Sequence, residues 1–490
     1  MNGQAKQSGL YDAFVAKDAR FDGRFFVGVS STGIYCRPVC RARIPKKENC
    51  TFFEFAAEAE QAGYRPCLLC RPELAPGRSI TDAKSNLARR AARLLEADCS
   101  SGEKLATLTA RLGCSERHLR RVFKEEYRIT PIQYLQTYRL LLAKNLLTET
   151  DLAIIDVAMS AGFGSLRRFN ELFKTHYKLS PTALRKRAAN KICEQKGVTL
   201  FLAYRPPYLW ERLLGFFEQR AIPGVEIVAN NEYCRTVRHI NSRAEEVRGW
   251  IKVGHDERKN SLVLTIDEAL LSALPQVLSR IRTMFDLYCE PVVVYEALRS
   301  MNEIRPGLCV LGTRLPGCYD SFEMSTRAIL GQQITVKAAR TLAGRIAHEL
   351  GEQIETGIEG LTHLFPSAKD MLVSEAPLKN RLGELGIISS RSATIQELAS
   401  CIVSQKITLD VDSDPEEEMG QLLSIKGIGA WTAQYIAMRA LEWPDSFLET
   451  DVGIKHALAP ASPKEMLKMA KGWQPWRSYA TINLWNSLNM

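Results

Sequence analysis

Four cysteines stand in two close pairs, Cys36-x3-Cys40 and Cys67-x2-Cys70. Four thiolates at such spacing suit tetrahedral zinc, which accepts soft sulfur and has no redox chemistry of its own. Basic and proline residues crowd them, in CRPVCRAR and YRPCLLCRP. One reading is a structural zinc knuckle, which the spacing alone favours. The other makes one thiolate a nucleophile, because zinc keeps a thiol deprotonated at neutral pH, as an alkyl acceptor requires. Cys50, Cys99 and Cys114 fall outside the pattern and read as ordinary thiols.

A second constellation lies near the other end. LLSIKGIGAWTAQYIAMRAL (422–441) has a helix–hairpin–helix pattern. Gly427 and Gly429 permit a tight turn, and the N–H groups opening the next helix can meet a phosphate. Asp451 follows in FLETDVGIKHAL. An isolated aspartate there reads as a helix N-cap.

Between them stand two helix pairs. ARLGCSERHLRRVFKEEYRITPIQYL (110–135) echoes SAGFGSLRRFNELFKTHYKLSPTALR (160–185). In the first copy Ser115 is an N-cap candidate, and Leu119, Val122 and Phe123 form an apolar face. Arg117, Arg121 and Lys124 form a basic one. In the second, Phe169, Leu172 and Phe173 turn inward, opposite Arg167, Asn170 and Lys174. A basic helical face is usually only solvated; two copies after Gly-containing turns point to nucleic acid.

The elements that must hold these residues follow from length and pattern. A chain of 490 residues exceeds one core, and about three or four domains are expected. With 46% hydrophobic and 24% charged residues, wholesale disorder is excluded. A net charge of +10 favours polyanionic partners. No apolar stretch opens the chain or runs long enough to span a bilayer, so neither an export signal nor a membrane partner is expected. With 13 Cys and no export signal, a reducing cytoplasm is expected.

Residues 1–80 read as loop-rich, and residues 81–188 as helices. AANKICEQKG (188–197) reads as a linker. VTLFLAY, GVEIVA, YCRTVRHI, GWIKVGH and SLVLTI then predict an antiparallel sheet. LPQVLSRIRTMFDLY and the chain from Phe322 onward predict helices. The fold class is therefore multidomain α+β: a small zinc domain (1–80), an all-α double helix-turn-helix domain (81–188), an antiparallel-sheet α+β domain (198–312) and an all-α helix–hairpin–helix domain (313–490).

GIYCRPVCRAR with YRPCLLCRP resembles the methylphosphotriester domain of the Ada adaptive-response family, over residues 8–78. The resemblance implies that Cys36 accepts a methyl group from an alkylated DNA phosphate, with Cys40, Cys67 and Cys70 as co-ligands of one Zn2+. It also implies that Thr32 and Arg43 approach the DNA backbone. The helix pairs resemble the AraC-type DNA-binding domain over 82–187, which implies two recognition helices in successive major-groove segments. In that family the turn after each recognition helix is often Gly; Arg128 and Lys178 stand there instead.

RPPYLWERLLGFF, RPGLCVLGTRLPGCYDSFEMSTRAILGQQIT and GWQPWRSYATINLW, with the hairpin, resemble the 3-methyladenine DNA glycosylase II (AlkA) family over 199–490. That resemblance implies that Asp451 is the catalytic carboxylate and that Phe216, Trp431, Tyr435 and Trp485 line the base pocket. It implies that Lys426 contacts phosphate and that Gln332 and Gln333 fill the gap left by a flipped base. Trp431 stands where lyase relatives carry a Schiff-base Lys, which implies a monofunctional glycosylase. The superfamily also implies a monovalent cation at the hairpin carbonyls. Thr450, Val452 and Gln333 depart from the family pattern. No Pro-Cys-His-Arg motif occurs, so no O6-methylguanine transferase activity is expected.

The expected protein is a DNA-alkylation repair enzyme and regulator, a 3-methyladenine glycosylase with methylphosphotriester methyl transfer. Its expected partners are alkylated and promoter double-stranded DNA, with RNA polymerase a further one. It is expected to act as a monomer, because two helix pairs sit in one chain, and in the cytoplasm at the nucleoid. One rival reading is a transcription regulator whose glycosylase-like half only grips DNA. Another makes the front half a damage-targeting module with a structural zinc.

Overall fold

The computed structural model describes residues 3–75, 86–99, 105–188, 197–241, 244–373, 377–410 and 413–488. The boundary expected at 80/81 and most of the expected linker (189–196) lie outside the described residues. Among the described residues, no helix is long and apolar enough to cross a membrane.

The first unit is more regular than its sequence predicts. Helix α1 (Gly3–Val15) precedes a four-stranded sheet of β1 (Phe26–Val29), β2 (Ile34–Cys36), β3 (Cys50–Phe53) and β4 (Arg65–Pro66), in the order β3-β1-β2-β4. Helix α2 (Ala56–Gln61) lies between β3 and β4 in sequence. These strands run two to four residues, too short to show alternation in the sequence, which is why the segment reads as loop. Phe14, Phe25 and Val27 share their small core with Cys36, Cys40 and Cys67.

Helices α3 (Asn86–Ala97) to α9 (Pro181–Ala188) form the second unit. The first pair is α4 (Leu105–Arg111) with α5 (Glu116–Tyr127); the second is α7 (Ile154–Ser160) with α8 (Leu166–Tyr177). Helix α6 (Pro131–Glu149) joins them. The two copies use the same devices. Ser115 Oγ accepts from His118 N, and Ser165 Oγ from Arg168 N, both at 3.2 Å. Helix α5 ends on Arg128 at φ 62° and α8 on Lys178 at φ 54°, left-handed residues that each cost about 1 kcal/mol relative to Gly. Phe123 and Tyr127 in one copy, and Phe173 and Tyr177 in the other, are buried beneath.

The third unit is a five-stranded antiparallel sheet in the order β5-β9-β8-β7-β6. Its strands are β5 (Val198–Ala203), β6 (Glu226–Ala229), β7 (Glu232–Ile240), β8 (Glu246–Asp256) and β9 (Ser261–Ile266), as the alternating runs predict. Helices α10 (Trp210–Glu218) and α11 (Leu274–Met284) cover it, with Phe217 and Tyr233 packed on Phe285. The last unit is helical. Helices Ser321–Leu330, Val336–Leu350, Ser389–Val403 and Ala430–Ala440 surround a core of their own.

The units are not beads on a string. Leu140, Leu146, Val157 and Phe169 of the helix-turn-helix unit belong to the same buried cluster as Leu200, Leu264 and Ile266 of the sheet. Polar contacts reinforce the junction. Glu290 pairs with Arg24 of the first unit and with Arg205 at 2.7 Å. Glu96 of α3 accepts from Tyr134 within its own unit and from Tyr288 across the junction at 3.2 Å.

Candidate zinc centre, recognition helices and base-excision cleft

Strand β2 ends on Cys36, and Cys67 follows β4, its parallel neighbour. Cys67 N donates to Tyr35 O at 3.0 Å, which fixes the two chain segments side by side. The four sulfurs of Cys36, Cys40, Cys67 and Cys70 lie within 4.8 Å of one another. Backbone N–H groups aim at them: Leu69 N donates to Cys67 Sγ at 3.4 Å and Arg37 N to Cys70 Sγ at 3.3 Å. The Arg37 guanidinium pairs with Asp22 and donates to Cys70 O at 3.1 Å. Mutual hydrogen bonds drive the thiols apart in acidity, with Cys36 pushed up through Cys40 and Cys67 pushed down through Cys36. Sulfurs so close fit one tetrahedral ion with bonds of about 2.3 Å. These cysteines form a site for one Zn2+. Thr32, in the β1–β2 turn, and Arg43 are exposed.

On the helix-turn-helix unit, Arg117, Arg121 and Lys124 of α5 and Arg167, Asn170 and Lys174 of α8 are all exposed. Arg121 pairs with Glu125 at 2.9 Å and Arg167 with Glu171 at 3.1 Å. Exposed i,i+4 pairs of this kind are weak, so a phosphate can exchange into them.

The glycosylase-like half holds a cleft of about 1030 Å³. Asp451 is the only carboxylate among its lining residues. It caps helix Val452–Ala457, accepting from Ile454 N at 3.0 Å. It also accepts from Trp485 Nε1 at 2.8 Å and Trp431 Nε1 at 3.1 Å. The N-cap role and the cleft position therefore coincide in one side chain. Trp431 and Tyr435, one turn apart on helix Ala430–Ala440, stack with ring centres 5.2 Å apart. Gly453 also lines the cleft; a Cβ there would stand 3.0 Å from the Trp485 ring and 3.1 Å from Asp451 Oδ1. Sequence reasoning passed over it, although its place two residues after Asp451 was a usable signal.

Phe216 is placed differently from the expectation. It is buried and absent from the cleft lining. Its ring stacks on Trp485, and the guanidiniums of Arg220 and Arg439 lie 3.7 and 4.8 Å from its centre. Its face is already occupied, so it supports the wall from behind.

The hairpin also divides its glycines unequally. Gly427 has φ +100°, and a Cβ would strike Thr394 Oγ1 at 2.1 Å. Gly429 has φ −95° and open space around a built Cβ, so the turn itself does not require glycine there. Gln332 Nε2 donates to Gly427 O at 2.9 Å and Thr432 Oγ1 at 3.0 Å, which ties that side chain to the hairpin. Of the two glutamines offered as gap-fillers, only Gln333 is exposed, on a left-handed backbone of φ 56°. Lys426 is exposed, and its carbonyl accepts from Thr394 Oγ1 at 2.9 Å. Two hairpin carbonyls, Lys426 O and Gly427 O, thus already have protein donors.

A zinc-thiolate module, paired helix-turn-helix elements and a hairpin-flanked cleft with one held carboxylate define a DNA-repair protein with a DNA-binding front half. Residues 9–73 match the metal binding domain of Ada, 108–187 a helix-turn-helix domain and 199–320 the AlkA N-terminal domain. A probable bifunctional transcriptional activator/DNA repair enzyme AlkA of Mycobacterium tuberculosis is 34% identical over 489 residues, 98% of this chain and 96% of that protein. DNA-3-methyladenine glycosylase 2 of Escherichia coli is 33% identical over 284 residues, 58% of this chain and 95% of that protein. The bifunctional transcriptional activator/DNA repair enzyme AdaA of Bacillus subtilis is 34% identical over 179 residues, 36% and 81% of the respective chains. The chain belongs to the family of bifunctional transcriptional activator/DNA repair enzymes of the AlkA type.

Proposed function

We propose that this chain accepts methyl groups from DNA methylphosphotriesters at Cys36, binds promoter DNA through α5 and α8, and hydrolyses the N-glycosidic bond of alkylated bases at Asp451. The observation that carries the glycosylase reading is the Asp451 carboxylate, held by two indole N–H groups and a helix N-terminus inside an aromatic-walled cleft.

Zinc held by Cys36, Cys40, Cys67 and Cys70 would lower the pKa of these thiols and keep them ionised at neutral pH. Cys36 Sγ attacks the methyl carbon of the triester. The carbon–oxygen bond breaks with its electron pair on oxygen, leaving an ordinary phosphodiester and a thioether. The cluster charge falls from about −2 to about −1, so repulsion from neighbouring phosphates drops and DNA affinity rises. Thr32 and Arg43, exposed on the same unit, are suited to hold the backbone. RNA polymerase is the further partner of this activator, which acts as a monomer at the nucleoid.

In the cleft, the bond from sugar C1′ to the base nitrogen breaks with its pair on the base. The Asp451 carboxylate faces the positive charge that develops on the sugar, and water adds at C1′. Trp431 and Tyr435 stack on the flipped base. Lys426 and the N–H groups beyond Gly429 hold the strand, and Gln333 projects toward the vacated stack. With Trp431 at the lyase position, the sugar is left intact. A monovalent cation would use the remaining lone pairs of the hairpin carbonyls.

Base release from methylated duplex DNA tests this directly, with wild type, Asp451→Asn and Cys36→Ala compared. Release of 3-methyladenine by wild type and Cys36→Ala, but not by Asp451→Asn, is the expected result. No release by wild type would make the rear half a DNA-gripping element and leave a regulator alone.

A further inference from the structure

Helix Ser389–Val403 holds the backbone of two separate loops. Thr394 Oγ1 donates to Lys426 O of the hairpin at 2.9 Å. One turn earlier on the same helix, the half-buried Arg391 guanidinium donates to Gln332 O. Gln332, Gln333 and Gly427 all line the cleft, so one helix grips both loops that shape it.

The carbonyl that Arg391 grips belongs to the peptide unit between Gln332 and Gln333. Because that unit is planar, its orientation is set by rotation about its bonds to the two α-carbons, and one of those rotations is φ of Gln333. Holding the oxygen therefore holds that angle. The Gln332 side chain anchors the preceding α-carbon, donating to Gly427 O at 2.9 Å and to Thr432 Oγ1 at 3.0 Å. On the other side, Thr335 caps helix Val336–Leu350, its Oγ1 accepting from Ala338 N at 3.2 Å. Gln333 is thus pinned from both directions at φ 56°. Its side chain is exposed, so its own burial does not hold the backbone there. A left-handed residue other than glycine persists only where its surroundings over-determine it, and such residues cluster at functional sites. An extruded base leaves a gap in the stack, and a side chain that enters the gap offsets part of the unstacking. A backbone already held in one conformation loses less freedom when that side chain engages.

We propose that Arg391 is a positioning residue: by gripping Gln332 O it holds Gln333 in the left-handed conformation from which its side chain enters the gap left by an extruded base. This rests on the glycosylase reading of the same cleft. The rival role for a guanidinium here is a direct contact to a DNA phosphate.

Titration of the full-length zinc-loaded protein onto two duplexes tests it. One duplex is undamaged; the other carries a tetrahydrofuran abasic analogue, in which the gap already exists. Arg391→Ala is expected to weaken binding to the abasic duplex by about 10-fold while the undamaged duplex stays within about 2-fold. Arg391→Lys keeps a donor and should recover part of the preference. Gln333→Ala should show the same selective loss. Adding Arg391→Ala to Gln333→Ala should then weaken binding further by less than about 2-fold, because both changes act through one side chain. Equal weakening on both duplexes would make Arg391 a phosphate contact and overturn the proposal. Additive losses in the double variant, or an abasic preference that Arg391→Ala leaves intact, would overturn it as well. Base release from methylated duplex DNA by the same wild-type preparation separates the two readings: no release overturns the glycosylase reading, whereas release with an abasic preference indifferent to Arg391 overturns this proposal alone.

Discussion

Tyr35, the residue before Cys36, donates its hydroxyl to the buried carboxylate of Glu60 across 3.0 Å. The other oxygen of Glu60 accepts from Thr137 of α6 at 3.3 Å and lies 3.7 Å from His176 of α8. Nearby, Lys144 of α6 pairs with Glu73 and donates to Cys67 O at 3.4 Å. Two residues at the zinc ligands are thus bound to the helix that joins the two DNA-binding pairs. Tyr35→Phe should cost about 1–3 kcal/mol, because a buried carboxylate loses a donor. Thermal unfolding would register it, with the zinc content unchanged.

Zinc removal should have a local effect. Three of the four ligands sit in the core of the first unit, so chelation removes the centre of that core. We expect loss of near-ultraviolet circular dichroism from its aromatic cluster and loss of methyl acceptance. Base release should continue, because the cleft draws no residue from that unit. Parallel loss of base release on chelation would contradict this.

The hairpin glycines should separate stability from DNA binding. Gly427→Ala places a side chain on Thr394 at a left-handed φ and should destabilise the rear half by about 1–3 kcal/mol. Gly429→Ala meets nothing in the fold and should change stability by less than about 0.5 kcal/mol. Its methyl group stands where a phosphate would approach, so duplex affinity should fall. Denaturation and DNA titration of both variants check the pair.

Burial pushes the Asp286 carboxyl up to about 7, against opposing hydrogen bonds from Leu315 N and Tyr479. The folded protein therefore binds a proton there more tightly than the unfolded chain does. Stability from this group is complete below about pH 4 and is lost as pH rises toward 7. The change amounts to a few kcal/mol. Asp286→Asn should flatten the stability profile between pH 4.5 and pH 7, which urea melts across that window would show.

The sequence was most legible where periodicity or ligand chemistry is local. The runs at 198–266 announced their strands, Ser115 its cap, and the paired Cys their metal. Legibility failed where three dimensions set the role. Glu60 reads as one more charge on a short helix, yet it is buried between two units. Arg220 and Arg439 lie far apart in the chain and come together over Phe216 and beside Tyr435. The place of Phe216 behind Trp485 was hidden for the same reason: residue type reveals a ring but not what already covers it. Gly429 looked equivalent to Gly427 until their φ angles separated them.

The buried cluster that runs from Leu146 and Phe169 into Leu200 and Leu264 bears on how such a chain could be divided between two genes. Dividing the chain between these two units would place the two sides of that cluster on separate products. Each product would then present to water an apolar face that its counterpart now covers, and such faces promote aggregation or re-association. Independent halves would need polar replacements along that seam. In this protein the union of regulator and enzyme is therefore inscribed in side chains on both sides of the joint.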